Sequence, residues 1–259
     1  GDVRRPHDSW DVMLDKDARI GYVRITNFIQ NTAADLKKAL TELTSQGMKG
    51  LILDLRDDPG GLLSAAVEVS DLFLDEGKIV TTKGRNQRDK TYEAEGEGTF
   101  KDFPMAVLVN QHSASASEIV AAALQDHKRA VVVGQRSFGK GSVQNILPLD
   151  SGQSILKLTV ATYWRPSGKN IHRFKDAKET DEWGVSPDPG FEVKLDRGQY
   201  ESWAKARQHR DLISRLNPEQ PKQVIDRGAK PAEKDRQLDK AIEYIKSKLS
   251  GAAETKKAA

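Results

Sequence analysis

At 259 residues, with 37% hydrophobic and 31% charged side chains, the chain is long enough for one large domain with an appendage and has the balance of a soluble protein with a polar lean. Its 41 basic and 38 acidic groups leave a net charge of only +3, and the basic residues form no aromatic-studded stripe, which argues against nucleic acid as a partner. The absence of cysteine excludes disulfides, thiolate catalysis and Cys-ligated zinc, and the scattered His7, His112, His127, His172 and His209 offer no pair at metal-ligand spacing, so neither metal nor cofactor is expected.

Residues 1–19 are polar and read as a tether, starting at Gly1 without Met or signal peptide, as a fragment or processed product would. Ile20-Gly-Tyr-Val-Arg-Ile-Thr-Asn-Phe28 alternates apolar and polar residues and predicts a strand. A helix follows from Asn31-Thr32 with Leu36, Leu40 and Leu43 on one face, ending near Gly47. Gly50 to Leu55 is a short buried strand that breaks at the turn Asp57-Asp-Pro-Gly-Gly61, and a second helix buries Leu63, Ala66, Val67, Val69, Ser70 and Phe73. Lys83 to Lys101 is a polar excursion with weak strand character at Thr91 to Ala94.

Pro104 to Val109 and Ala130 to Gly134 are two more buried strands, separated by a helix from Ser115 to Gln125. Ser142 to Leu149 and Ser154 to Tyr163 have antiparallel β character. The alternation predicts an α/β layered core over residues 20–196. Residues 197–249 form a helical C-terminal region, with patches at Tyr200 to Leu216 and Asp235 to Leu249 around Pro218, Pro221 and Pro231, and residues 250–259 a disordered tail. There are no internal repeats, and no apolar run approaches the ~20 residues that span a bilayer.

Three segments share one setting, a buried strand that ends in a Gly- or Ser-rich turn, the place where open α/β sheets bind ligands. In Ser113-Ala-Ser-Ala-Ser117-Glu118, a serine at a helix start can attack a carbonyl while the next amide stabilises the oxyanion. Ser115-x-x-Glu118 is also a capping box, and on spacing alone the structural cap is the commoner meaning. His112 sits three residues from Ser115 on a turn, which does not place it against the hydroxyl. Lys140, between Gly139 and Gly141, is the other candidate base; a free lysine has a pKa of about 10.4, and burial can lower it to roughly 7–8. Gly134-x-x-x-x-Gly139-Lys140 nearly spells a phosphate loop, but Gly141 stands where Ser or Thr should hold magnesium, and the following residues are strand-like rather than helical. Nucleotide binding is therefore rejected. In Asp57-Asp-Pro-Gly-Gly61, Gly60 or Gly61 can bring a bare N–H to a substrate oxygen.

Together these segments are specific. The order Asp54-Leu-Arg-x-x-Pro-Gly-Gly61, Ser113-Ala-Ser-Ala-Ser-Glu-Ile119, Phe138-Gly-Lys-Gly-x-Val-Gln144 resembles the carboxyl-terminal processing peptidases, tail-specific serine peptidases of family S41, with Tyr163-Trp-Arg-Pro-Ser-Gly168 and Trp183-Gly-Val-Ser-Pro-Asp188 as weaker features. The resemblance covers Ile20 to Leu195. It implies an α/β core of ClpP/crotonase-like type with additional strands, and a serine endopeptidase cleaving at or near C-termini through an acyl-enzyme. Ser115 would be the nucleophile, Lys140 the base and Gln144 the residue orienting its amine. Gly60 and Ala116 N–H groups would form the oxyanion hole, with Gly61 and Asp126 in support.

The resemblance further implies protein substrates bound in extended form, an extracytoplasmic setting, and homo-oligomers or adaptors as partners. Such peptidases usually carry an upstream PDZ domain, to which residues 1–19 would be the junction. Asp58 departs from the more usual Asn and adds a charge to the turn. The alternative reading is a non-catalytic peptide-binding scaffold of the same fold.

Overall fold

In a computed structural model of the chain, residues 3–5, 9–85, 88–149, 153–216 and 234–257 are described. Two short strands, β1 (Val3–Arg5) and β2 (Ser9–Asp11), pair antiparallel, and β3 (Met13–Asp15) joins the edge of the main sheet, so the stretch read as a tether carries strands. β4 (Ile20–Arg24) stops earlier than the alternation to Phe28 suggests. The chain then leaves the sheet, and beyond it Phe28 makes only an isolated bridge to Gly61.

The helix α1 (Thr32–Ser45) buries Leu36, Leu40 and Leu43 as its spacing predicts. β5 (Gly50–Asp54) and β8 (Met105–Val109) are buried at every position, as strands covered on both faces must be. Between them come α2 (Leu63–Asp71), β6 (Lys78–Lys83) and β7 (Lys90–Glu93). β6, with only Ile79 and Val80 buried, gives too short an apolar signal to be read from sequence. α3 (Ala116–Asp126), β9 (Val131–Gly134), β10 (Ser142–Leu149) and β11 (Ser154–Trp164) follow, then α4 (Arg197–Leu216) and α5 (Arg236–Lys257).

The main sheet has the order β3-β4-β5-β8-β9, parallel from β4 onward. One face packs Leu51, Leu53, Met105, Val107 and Val132 against α1, α2 and α3. The other packs Ile20, Tyr22, Ile52, Ala106, Leu108 and Val133 against Ala241 and Ile245 of α5. The C-terminal region is thus a third layer of the core. Parallel strands apolar on both sides need that second cover. α5 runs on to Lys257 through residues whose composition suggests disorder; Ala, Glu and Lys are good helix formers once a helix is anchored. Pro218, Pro221 and Pro231 lie outside the described residues. The second sheet, β10-β11-β6-β7, is antiparallel, as expected for β10 and β11; β6 and β7 extend it.

The third layer is fastened by charge as well as by apolar contact. Arg56 is fully buried, donating to Asp54 Oδ2 at 2.6 Å and to Asp235 Oδ1 and Oδ2 at 2.8 and 2.9 Å. The Trp203 ring lies 4.5 Å from the guanidinium, and its Nε1 donates to Asp235 Oδ2. Tyr22 donates its hydroxyl proton to Asp54 Oδ2 at 2.7 Å. Burial alone would raise the Asp54 carboxyl, but the charge of Arg56 outweighs it and holds the group well below the usual carboxylate range. Replacing Asp235 with Ala leaves the buried guanidinium with Asp54 as its one carboxylate partner and should cost about 2 kcal/mol. An Asp235→Ala chain with an unchanged urea midpoint would contradict this account of the docking.

Candidate active site

Parallel pairing aligns the strand ends. β5, β8 and β9 finish side by side, with Asp54 opposite Leu108 and Val109 opposite Gly134, so the three turns singled out from the sequence meet at one edge. Between β8 and α3 the chain makes a sharp strand-to-helix elbow. Ser115 occupies it with φ 57° and ψ −112°, a conformation that costs a non-glycine residue roughly 1–3 kcal/mol and is found mostly where it serves a site.

The elbow is held from both sides. Ser113 Oγ donates to the Leu55 carbonyl at 2.8 Å, Ala114 N–H to the Asp58 carbonyl at 2.9 Å, and Ser117 Oγ to the same carbonyl at 3.0 Å. Ser113 and Ser117 are buried struts, while the middle serine, Ser115, is only partly covered. The Ala116 N–H, first in α3, donates to none of the described residues.

The glycine turn abuts the elbow. A Cβ on Gly60 would fall 2.7 Å from Ala116 N and 2.5 Å from the Ala114 carbonyl oxygen, and its φ of +92° also favours glycine. Gly60 N–H donates to Asp58 Oδ1 at 2.7 Å, whereas Gly61 N–H, also in the turn, donates to none of the described residues. Asp58 is fully buried, its Oδ2 has no hydrogen-bond partner among the described residues, and desolvation pushes its carboxyl up to about 7.

The capping pair is present, but Glu118 does more than cap. Its fully buried carboxylate accepts Ser115 N–H and Lys140 N–H on Oε2, each at 2.8 Å, and Gly139 N–H at 2.6 Å and the Ser137 hydroxyl on Oε1. The Ser115 and Lys140 nitrogens share one oxygen, so they cannot be farther apart than twice that distance. Burial pushes the Glu118 carboxyl up against the opposing pull of these donors. The Lys140 loop is further tied by Phe138 N–H to the Ser113 carbonyl at 3.0 Å and by Arg173 N–H to the Gly139 carbonyl at 2.8 Å.

The two backbones are together; the two side chains are not joined. The Lys140 side chain is exposed rather than in the dry pocket the sequence reading requires, and its amine bonds neither Ser115 nor Gln144. Gln144, at a β-bulge in β10, donates instead to Thr159 Oγ1 at 2.6 Å and Ser142 Oγ at 3.3 Å. Asp126 lies at the far end of α3, where it pairs with Arg165 at 2.6 and 3.0 Å and accepts Ser167 N–H. Burial opposes its charge, but the Arg165 bonds prevail and its carboxyl is lowered. It therefore braces the Tyr163 to Gly168 turn. No group of acidic or histidine side chains suited to a metal occurs among the described residues.

Sequence reading treats Glu118 as a cap and Asp58 as a departure from pattern. The signal available for Glu118 was its charge in the first turn of an otherwise apolar helix; nothing local reveals that its second set of donors lies nineteen or more residues away.

Comparison with known proteins bears on the whole arrangement. The profile of Peptidase family S41 matches residues 19–189. A carboxy-terminal-processing protease of Bartonella bacilliformis is 38% identical over 250 residues, which cover 90% of this chain and 54% of that protein. A carboxyl-terminal-processing protease of Synechocystis sp. is 42% identical over 176 residues, covering 68% of this chain and 39% of that protein. Among solved structures, the photosystem II D1 C-terminal processing protease superposes with a TM-score of 0.59 at 40% identity, covering 68% of this chain and 42% of the other. Mature CPAF shares the fold at a TM-score of 0.57 and 13% identity, over 76% of this chain and 51% of the other. The chain thus spans about half the length, or less, of these relatives. On the match over residues 19–189 and on the identity to these proteases, the chain belongs to peptidase family S41.

Proposed function

We propose that the chain is the catalytic core of a serine endopeptidase that cleaves proteins at or near their C-termini through a Ser115–Lys140 pair and an acyl-enzyme. The observation that carries this reading is the strained Ser115 elbow beside an unpartnered Ala116 N–H, with one Glu118 oxygen tying that elbow to the backbone of Lys140. In this reading the exposed Lys140 side chain turns inward to the Ser115 hydroxyl. In its neutral form the amine accepts the Ser115 proton. Ser115 Oγ attacks the scissile carbonyl, whose oxyanion turns to the Ala116 N–H and a glycine N–H of the Gly60-Gly61 turn. Lys140 then passes its proton to the leaving amine, and water releases the acyl group. Gln144 exchanges Thr159 for the amine once Lys140 turns inward.

Three exposed apolar side chains supply contacts for an extended polypeptide: Leu62 and Phe138, next to Gly61 and Gly139, and Ile29, next to the Phe28 that bridges Gly61. In this reading the substrates are proteins, the setting is extracytoplasmic, and a PDZ domain, an adaptor or further copies of the chain complete the working enzyme. The outward Lys140 favours one other reading, a peptide-binding scaffold without turnover.

Ser115→Ala in the full-length protein should remove cleavage of an unstructured protein such as casein, by at least about 1,000-fold, with the circular dichroism spectrum retained. Activity persisting in that variant rules out the nucleophile. Lys140→Arg should be equally inactive, because a guanidinium remains charged; a full-length protein with no turnover before any substitution decides for the scaffold. Glu118→Gln replaces an oxygen that accepts two backbone N–H groups with a donor, and should lower kcat about 10- to 100-fold through misplacement of the pair. A normal kcat in Glu118→Gln removes that carboxylate from the account.

A further inference from the structure

Asp58 is the one feature of the site that serine-peptidase chemistry does not call for. Its carboxylate is buried in the turn that faces the nucleophile, one oxygen holding Gly60 N–H at 2.7 Å and the other without a hydrogen-bond partner among the described residues. Gly60 in turn lies against Ala116 N, the other donor of the anion site. A carboxylate is a stronger acceptor than a neutral carbonyl oxygen, roughly twofold in hydrogen-bond strength, so a charged Asp58 competes for the donor that a developing oxyanion needs and sets a like charge beside it.

We propose that Asp58 is a positioning residue that controls the oxyanion hole: its charged form retains the Gly60 N–H, and its neutral form releases that donor to the substrate oxygen. The inference rests on the peptidase reading given above. The groups around the carboxyl leave this balance to burial. The Gly60 N–H, the Ser117 hydroxyl of α3, which bonds the Asp58 carbonyl at 3.0 Å, and Arg24 of β4 all favour the charge, and burial outweighs them. Asp57 is engaged elsewhere, by Asn110 and Tyr200, and Glu118 by the Lys140 loop. Desolvation is the largest influence, and it brings the carboxyl to about 7, where a small change of pH or of substrate cover shifts its proton. Covering the turn with substrate desolvates it further and favours the neutral, productive form.

The test compares kcat and KM from pH 5.5 to 9 for the full-length protein and Asp58→Asn, with Ser115→Ala as the blank. Asn keeps a neutral oxygen for Gly60 N–H. Its kcat should exceed that of the unaltered protein by about tenfold at pH 8.5 and fall to within twofold at pH 5.5, with KM little changed. A ratio of the two kcat values that stays constant across this range overturns the proposal. A second measurement does not depend on turnover: the Gly60 amide resonance of the Ser115→Ala protein, followed by NMR against pH, should titrate with a midpoint near neutrality and should not titrate when Asp58→Asn is added. A Gly60 amide indifferent to pH sinks the proposal even in a protein that hydrolyses nothing, whereas loss of serine-dependent hydrolysis alone sinks only the peptidase reading.

Discussion

The site depends on one buried carboxylate. Glu118 gathers the backbone N–H groups of Ser115, Gly139 and Lys140 and the hydroxyl of Ser137 onto two oxygens. A charge with no solvent is tolerable only when so many donors meet it, and the same donors tie the elbow before α3 to the loop after β9. The strained backbone of Ser115 persists because Glu118 on one side and the Asp58 carbonyl on the other over-determine it. Position is thus built into the backbone, while the Lys140 side chain keeps its freedom in solvent.

A second buried charge stabilises the floor beneath. Arg56 lies two residues from Asp58 and joins the end of β5 to Asp235, at the start of α5, under the Trp203 ring of α4. The helices that cover the back of the sheet are therefore bonded to the same turn that forms the front of the site. Tyr200 of α4 reaches Asp57 of that turn as well. Stability of the third layer and geometry of the glycine turn are in this sense one property.

The parallel core is legible in the residues because its determinants are local. Continuous apolar runs at Gly50 to Asp54, Met105 to Val109 and Val131 to Gly134 admit little but buried strands, and Leu36, Leu40 and Leu43 set the face of α1. β6 was not legible, because its partners lie in β7 and at the far end of β11 and only two of its residues are buried. The C-terminal helices were visible as helices but not as a core layer, since Ala241 and Ile245 are too sparse a stripe to announce which surface they cover. Turn chemistry pointed to a serine at the start of the helix and to Gly60 or Gly61, the family resemblance singled out Ser115 and Ala116, and the structure gathers these residues at one edge; Gln144 and the Lys140 amine face other surroundings in this arrangement.

The sequence by itself determined the residue types at the three strand ends, the alternation that lays those strands parallel, and membership of a family whose motifs it spells out. These follow from spacing and composition along a continuous stretch. Tertiary structure alone decided that Glu118 binds both loops, that Arg56 is shared with Asp235, and that Asp58 sits dry against the Gly60 N–H. Each of those depends on burial and on donors far away in the chain, and the energy of a charge is set by what surrounds it rather than by its neighbours in sequence.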